Sequence, residues 1–190
     1  MRRVVFMLSV SLDGYMEGPG RDISWHRVDE EVHQYFNELL AGAGAFLEGR
    51  VTYELMAEFW PTADQAPDAS PTMVEFARIW RDMPKIVYSR TLERVQDPNA
   101  TIVRDVVADE VMALKAQPGG DLVVGGPHLA AEFLRQGLVD EFRVTVHPVL
   151  IGAGTPMFPS ELRMDLRMVE TRTFGNGVVL LRYERVTAPS

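Results

Sequence analysis

Leu122 to Leu134 reads LVVGGPHLAAEFL: a short apolar strand runs into Gly125-Gly126, and Pro127 opens an amphipathic helix. Two glycines let the main chain approach an anion closely. The unpaired N–H groups of a helix's first turn then point at that anion, with the positive end of the macrodipole behind them. Pro127 suits the first helical position, where its missing N–H would have no partner in any case. A strand-Gly-Gly-helix corner also serves as a plain chain reversal, so the reading depends on further anion contacts elsewhere in the chain.

Length and composition narrow the rest. A chain of 190 residues is read as one domain, residues 1–190, able to bury a core without staples. It has no cysteine, which excludes disulfides, zinc ribbons and thiol nucleophiles and leaves a cytoplasmic location as the expectation. Arg2-Arg3 followed by VVFMLSV resembles the start of a signal peptide, but the apolar run is short and no small-residue cleavage pattern follows. No stretch is long enough to cross a membrane. A net charge of -8 argues against a nucleic-acid partner while leaving room for a small anionic ligand held by local arginines.

Short β-rich runs alternate with helical patterns, the signature of an α/β sheet. Val4 to Val10 is continuously apolar, as in a central strand covered on both faces. Asp29 reads as the N-cap of a helix with apolar positions at Val32, Tyr35, Phe36, Leu39 and Leu40, ended by Gly42 and Gly44. A strand over 45–48 leads through Gly49-Arg50 into a helix over about 52–59. Residues 61–71 read as an exposed loop, followed by a helix over 72–83, strands over 85–89 and 101–103, a helix over 109–117 and a strand over 121–124. From Glu141 the pattern changes to two long strands, EFRVTVHPVLIG and GVVLLRYERV, joined by a loop with no crossover helix. The expected architecture is therefore three-layered: a mixed, mostly parallel twisted sheet with helices on both faces and an antiparallel C-terminal hairpin.

Spacing removes several chemistries. The four histidines, His26, His33, His128 and His147, include no i, i+4 pair, and no metal site is expected. The nucleophile elbow, the P-loop and the dinucleotide fingerprint after the first strand are all missing. What remains is a set of strand ends rich in donors. Gly49-Arg50-Val51-Thr52 offers amides, a hydroxyl and a guanidinium able to fork onto a phosphate, although Arg50 can equally pair with Glu54. Ser89-Arg90-Thr91 offers two hydroxyls around another guanidinium, a possible cradle for a ribose 2′-phosphate, although Arg90 can equally be solvated. Three such ends in one sheet point to a shared anionic ligand.

The order SLDG (11–14), GRVTYE (49–54), KIVYSRT (85–91), VVGGPHL (123–129), GLVDE (137–141) and PVLIGAGTPMF (148–158) resembles the dihydrofolate reductase-like superfamily. More closely it resembles the reductase domain of riboflavin biosynthesis, in its small stand-alone bacterial form. The resemblance spans nearly the whole chain. It implies a dihydrofolate reductase-like fold and an NADPH-dependent reductase acting on a small heterocycle, pterin- or pyrimidine-like. By that likeness Arg50, Ser89 and Arg90 would hold the 2′-phosphate, and Thr52 with the Gly125-Gly126 turn the pyrophosphate. Gly49, Thr91, His128 and Leu129 are expected among the cofactor-binding residues. Ser9 and the loop from Asp13 and Gly14 to Met16 would hold the nicotinamide end.

The substrate side is read more openly. Dihydrofolate reductases carry a carboxylate on the first helix shortly after a Trp, and here Trp25 is followed by Asp29 and Glu30, the candidate proton donors. Each also has a structural role open to it: Asp29 as the helix cap, Glu30 as a favourable charge at the helix N-terminus. Riboflavin-pathway reductases place an Asp where this chain has Met56, which weakens that substrate assignment. Trp25, Phe36, Met56, Phe59 and Trp60 are expected to wall the pocket for a flat heterocycle, with core packing the alternative for Phe36. Two other readings stand beside the enzyme: a nucleotide- or heterocycle-binding protein without turnover, and an interaction protein. A homodimer is expected with any of the three.

Overall fold

The computed structural model describes residues 1–186. Its main sheet has eight strands in the order β5-β4-β3-β6-β1-β7-β10-β9. In chain order these are β1 (Val4–Ser11), β3 (Ala45–Gly49), β4 (Lys85–Tyr88), β5 (Ala100–Val103), β6 (Leu122–Gly125), β7 (Glu141–His147), β9 (Leu166–Thr173) and β10 (Val179–Arg185), while β2 (Tyr15–Glu17) and β8 (Thr155–Pro156) form a separate small ribbon. Strands β5 to β7 in that order run parallel; β10 is antiparallel to β7, and β9 is antiparallel to β10.

The helices divide between the two faces. On one side, α1 (Glu30–Ala41), α2 (Arg50–Phe59) and α3 (Pro71–Asp82) bury Leu40, Tyr53, Phe76, Ile79 and Trp80 against Phe46 and Val87. On the other, α4 (Ala108–Ala116) and α5 (Pro127–Arg135) bury Val111, Leu129, Phe133 and Leu134 against Val4, Phe6, Leu8, Leu47 and Val124. Alternate side chains of β1 point to opposite faces. Its even-numbered residues join the α4/α5 core, and Met7 packs on the other side.

Several local expectations hold in detail. The Asp29 side chain accepts from the Val32 N–H at 3.0 Å, capping α1. Ser70 caps α3 in the same way, with Pro71 in its first turn. Helix α2 begins two residues earlier than its sequence pattern, at Arg50.

The C-terminal third departs from the expectation. The stretch read as a loop between the two long strands contains β9, which pairs with β10 and takes the edge position; the hairpin is β9-β10, with β10 seated against β7. All but the first residue of β9 is exposed, so no burial pattern marks it as a strand. The stretch 61–71 is also more than an exposed loop: a 3-10 turn spans Trp60–Gln65 and buries Ala63. No helix among the described residues is long and apolar enough to cross a membrane.

Candidate functional site

Strands β3 and β6 are parallel neighbours whose following helices, α2 and α5, leave to opposite faces. Such a divergence opens a crevice at the carboxyl edge of a sheet. Here it is a groove of about 670 Å³, and the first turns of both helices contribute to its wall. The helix starts almost touch. Gly126, at the head of α5, has φ +84°, and a Cβ placed there would lie 2.4 Å from Thr52 Oγ1. Only glycine takes that backbone without strain and leaves the space open, which explains the second glycine of the Gly-Gly pair.

The groove gathers Gly49, Arg50, Thr52, Ser89, Arg90, Gly126, His128 and Leu129 from three strand ends. Gly125 stands one residue before the cradle, as the last residue of β6, in register with Glu48. Thr91 does not line the groove; its N–H donates to Ser89 Oγ at 3.3 Å, beside the Leu92 N–H at 2.9 Å, within the turn after β4. Further wall residues come from Glu17, Arg21, Tyr88, Arg104, Asp105 and Glu132, none of which the sequence reading singled out. Arg104 had a signal, because it follows β5 much as Arg90 follows β4. Glu17 and Arg21 had none, since they reach the groove only through the pairing of β2 with β8.

The arginines are held by neighbours. Arg50 Nη1 lies 2.8 Å from Glu54 Oε2, both half-exposed. Arg90 donates through Nε to Asp105 Oδ1 at 2.6 Å. Arg104 Nη1 donates to the carbonyls of Ser89 (2.9 Å) and Leu92 (2.6 Å), pinning the turn that presents Ser89. Burial raises the Tyr88 hydroxyl to about 12, so this wall residue stays neutral.

The substrate-side residues are dispersed differently. Asp29 spends its carboxylate on the helix cap, and Glu30 Oε2 accepts from Thr72 Oγ1 at 3.0 Å, tying α1 to α3. Neither lines the groove. Phe36, Met56 and Trp60 are partly buried and pack against the core formed by α1, α2 and α3, and none of them lines the groove. Phe59 is half exposed, and Trp25 packs edge-on against His26 and His147. Ser9 Oγ meets Thr145 Oγ1 at 3.0 Å across β1 and β7.

Asp13 does not face the groove. Its carboxylate is held below the usual range, first by the Ser11 hydroxyl and then by the Gly152 and Ile151 N–H groups, at 2.7 and 3.1 Å. It therefore staples the SLDG turn to the Gly152–Gly154 loop. Gly14 accepts there through its carbonyl from the Met157 N–H at 2.9 Å.

The chain is 36% identical over 184 residues to the uncharacterised protein YyaP of Bacillus subtilis, covering 96% of this chain and 94% of YyaP. A protein of Shewanella sp. PV-4 provisionally assigned to riboflavin biosynthesis superposes with a TM-score of 0.74 at 21% identity, over 97% of this chain and 99% of its own. Dihydrofolate reductase of Enterococcus faecalis, solved with NADP(H), superposes with a TM-score of 0.62 at 15% identity, over 96% of both chains. At such identities the two superpositions establish the fold, which is dihydrofolate reductase-like. The RibD C-terminal domain matches residues 2–180, and the chain belongs to that family.

Proposed function

We propose that the chain is an NADPH-dependent reductase of a small heterocyclic substrate. The observation that carries this reading is the groove itself: two helix N-termini, a glycine cradle and three arginines from separate strand ends converge on one crevice about 670 Å³ in volume. Arg50, Ser89 and Arg90 would take the 2′-phosphate by charge-assisted hydrogen bonds. Thr52 and the first turn of α5 would take the pyrophosphate. Bound NADPH would supply the hydride; the chain's part is to fix its position and exclude water. The Enterococcus faecalis reductase, which binds NADP(H) on the same fold, supports this reading.

The experiment is ligand-dependent melting. NADPH raises the melting temperature far more than NADH, and the Arg50→Ala/Arg90→Ala double variant loses that preference. Equal shifts by both cofactors in the wild type would defeat the reading. Both arginines sit in exposed pairs, so the double variant folds with little change in stability.

A second reading, binding without turnover, is favoured by one specific finding. The two carboxylates proposed as proton donors are engaged in a cap and a helix-helix tie, and Met56 stands where riboflavin-pathway reductases carry an acid. NADPH oxidation measured against pterins and pyrimidine ribosides separates the two. For assembly, the exposed edge strand β9 is the natural place for a second copy to add, and sedimentation tests the homodimer.

A further inference from the structure

Helix α2 reads RVTYELMAEF, and its sides border two different clefts. Arg50 and Thr52 line the groove, whereas Tyr53 and Ala57 line a second cleft of about 680 Å³. This one lies on the flank of the sheet, between α2, the end of α3 and the stretch 92–98 that returns from β4 to β5. The two clefts share no lining residue. Small-molecule sites span roughly 300–1,000 Å³, so the second is large enough to be one.

Its inner wall is aromatic. Tyr53 and Trp80 are 6% and 2% exposed, and their rings stack with centroids 6.5 Å apart at an interplanar angle of 27°. Lys85 Nζ lies 4.1 Å from the centroid of the Trp80 ring. With a second ring and an ammonium group set against its plane, the indole has its edge left for a ligand. That edge carries Nε1–H, which is buried and has no hydrogen-bond partner. An indole N–H can only donate, and buried ones are normally paired, so a vacant donor beside a cleft of this size calls for an acceptor from outside.

The charges around the cleft cancel in pairs. Lys85 Nζ lies 2.8 Å from Asp97 Oδ2 and donates to the Met83 carbonyl at 2.8 Å. Arg81 pairs with Asp64, and Glu54 with Arg50, each at 2.8 Å. Glu58 and Arg94, one of each sign, stand exposed at the rim and enter no ion pair among the described residues. Burial pushes the Tyr53 hydroxyl up, so it adds no charge. An ion of either sign would give up its water at the inner wall without a free counter-ion there to receive it.

We infer that this cleft is a second ligand site, taking an uncharged, flat aromatic molecule whose carbonyl oxygen accepts from Trp80 Nε1–H while its ring lies along Tyr53, Leu92 and Val95. The site is independent of what the groove holds. Its occupant would rest on the same helix that presents Arg50 and Thr52 to the groove.

Chromone is the probe, with two fused rings, no charge and one ring carbonyl. Naphthalene has the same size and no acceptor, and 2-naphthoate adds a charge. The chain has three tryptophans, so nitrogen-15 labelling gives three indole N–H resonances, and Trp80→Phe identifies its own by its loss. Chromone is expected to move the Trp80 resonance saturably, to leave those of Trp25 and Trp60 in place, and to bind about five- to ten-fold more tightly than naphthalene or 2-naphthoate. Saturating NADPH leaves its affinity unchanged. Ala57→Leu fills the cleft from a half-buried position on α2 and abolishes the shift, while the melting temperature of the free protein is retained. A Trp80 resonance unmoved by chromone overturns the site, a readout made on the wild type and so independent of how either variant folds. Equal affinity for naphthalene overturns the carbonyl assignment. Displacement of chromone by NADPH puts the probe in the groove and overturns the second site as well.

Discussion

The carboxyl edge of the sheet is built in two ways along its length. Over β4, β3 and β6 it is open and charged: arginines ringed by carboxylates, a glycine cradle, and helix N-termini diverging to opposite faces. Over β1 and β7 it is more closed, with Ser9 against Thr145 and a stacked histidine pair packed edge-on by Trp25. An open, pre-formed half suits an anion that must be captured from solvent. A more closed half suits chemistry that excludes water. The difference also has energetic consequences, because ion pairs on the open side are screened and worth little, whereas each unpartnered polar group on the closed side bears its full desolvation.

The largest expected effect tests the open half at its narrowest point. Gly126→Ala puts a Cβ 2.4 Å from Thr52 Oγ1 on a backbone at φ +84°. We expect a loss of about 1–3 kcal/mol of stability and the disappearance of the NADPH-dependent melting shift. A variant that melts and binds as the wild type does would remove the cradle from the argument.

Two opposed pH responses come next. Burial raises Glu48 to about 7, against Lys85, which lowers it; Glu48 is 4% exposed. Between 4.5 and about 7 the folded state holds a proton that the unfolded chain releases, so stability rises as pH falls through that window. Above it the buried carboxylate costs roughly 3 kcal/mol, and Glu48→Gln should recover much of this at pH 8. His147 has the reverse sign. Its folded value lies near 4, so the unfolded chain takes up a proton first as pH falls below 6.5, and stability declines down to about 4. Chemical denaturation from pH 4 to 8 should show Glu48→Gln steepening the acid loss and His147→Asn reducing it; parallel curves would argue against both assignments.

A smaller effect concerns the competing carboxylates. Removing them with Glu54→Gln and Asp105→Asn frees Arg50 and Arg90, and NADPH affinity should rise a few-fold at low salt, with the gain fading as salt increases. Calorimetry at two ionic strengths measures it, and an unchanged affinity would place the phosphate elsewhere. The smallest change is Asp29→Ala, which removes the α1 cap at a cost of about 1 kcal/mol and leaves NADPH affinity intact. A shift in the pH profile of turnover in that variant would instead restore Asp29 as a proton donor.

Legibility followed locality. β1, the Asp29 cap, the turn into α2 and the Gly125-Gly126 corner are each written in a few consecutive residues, and all appear where those residues place them. β9 was hidden, because Arg167, Glu170 and Arg172 lie on an exposed edge whose strand character comes from pairing with β10. Phe36 fits a pocket wall and a core equally well in sequence, and the structure packs it, with Met56 and Trp60, against the core of α1, α2 and α3. Arg21 and Glu17 joined the groove from a ribbon that local pattern did not announce.

By itself the sequence determined the alternation of strands and helices, the donor-rich corners at the strand ends and the family likeness, since each is a matter of residue type at short spacing. The tertiary structure alone decided which arginines share one crevice, which carboxylates are already spent, and that His26 meets His147 across 120 residues of chain. Those are outcomes of burial and pairing between distant segments, and a one-dimensional pattern carries no record of which surfaces will lose water together.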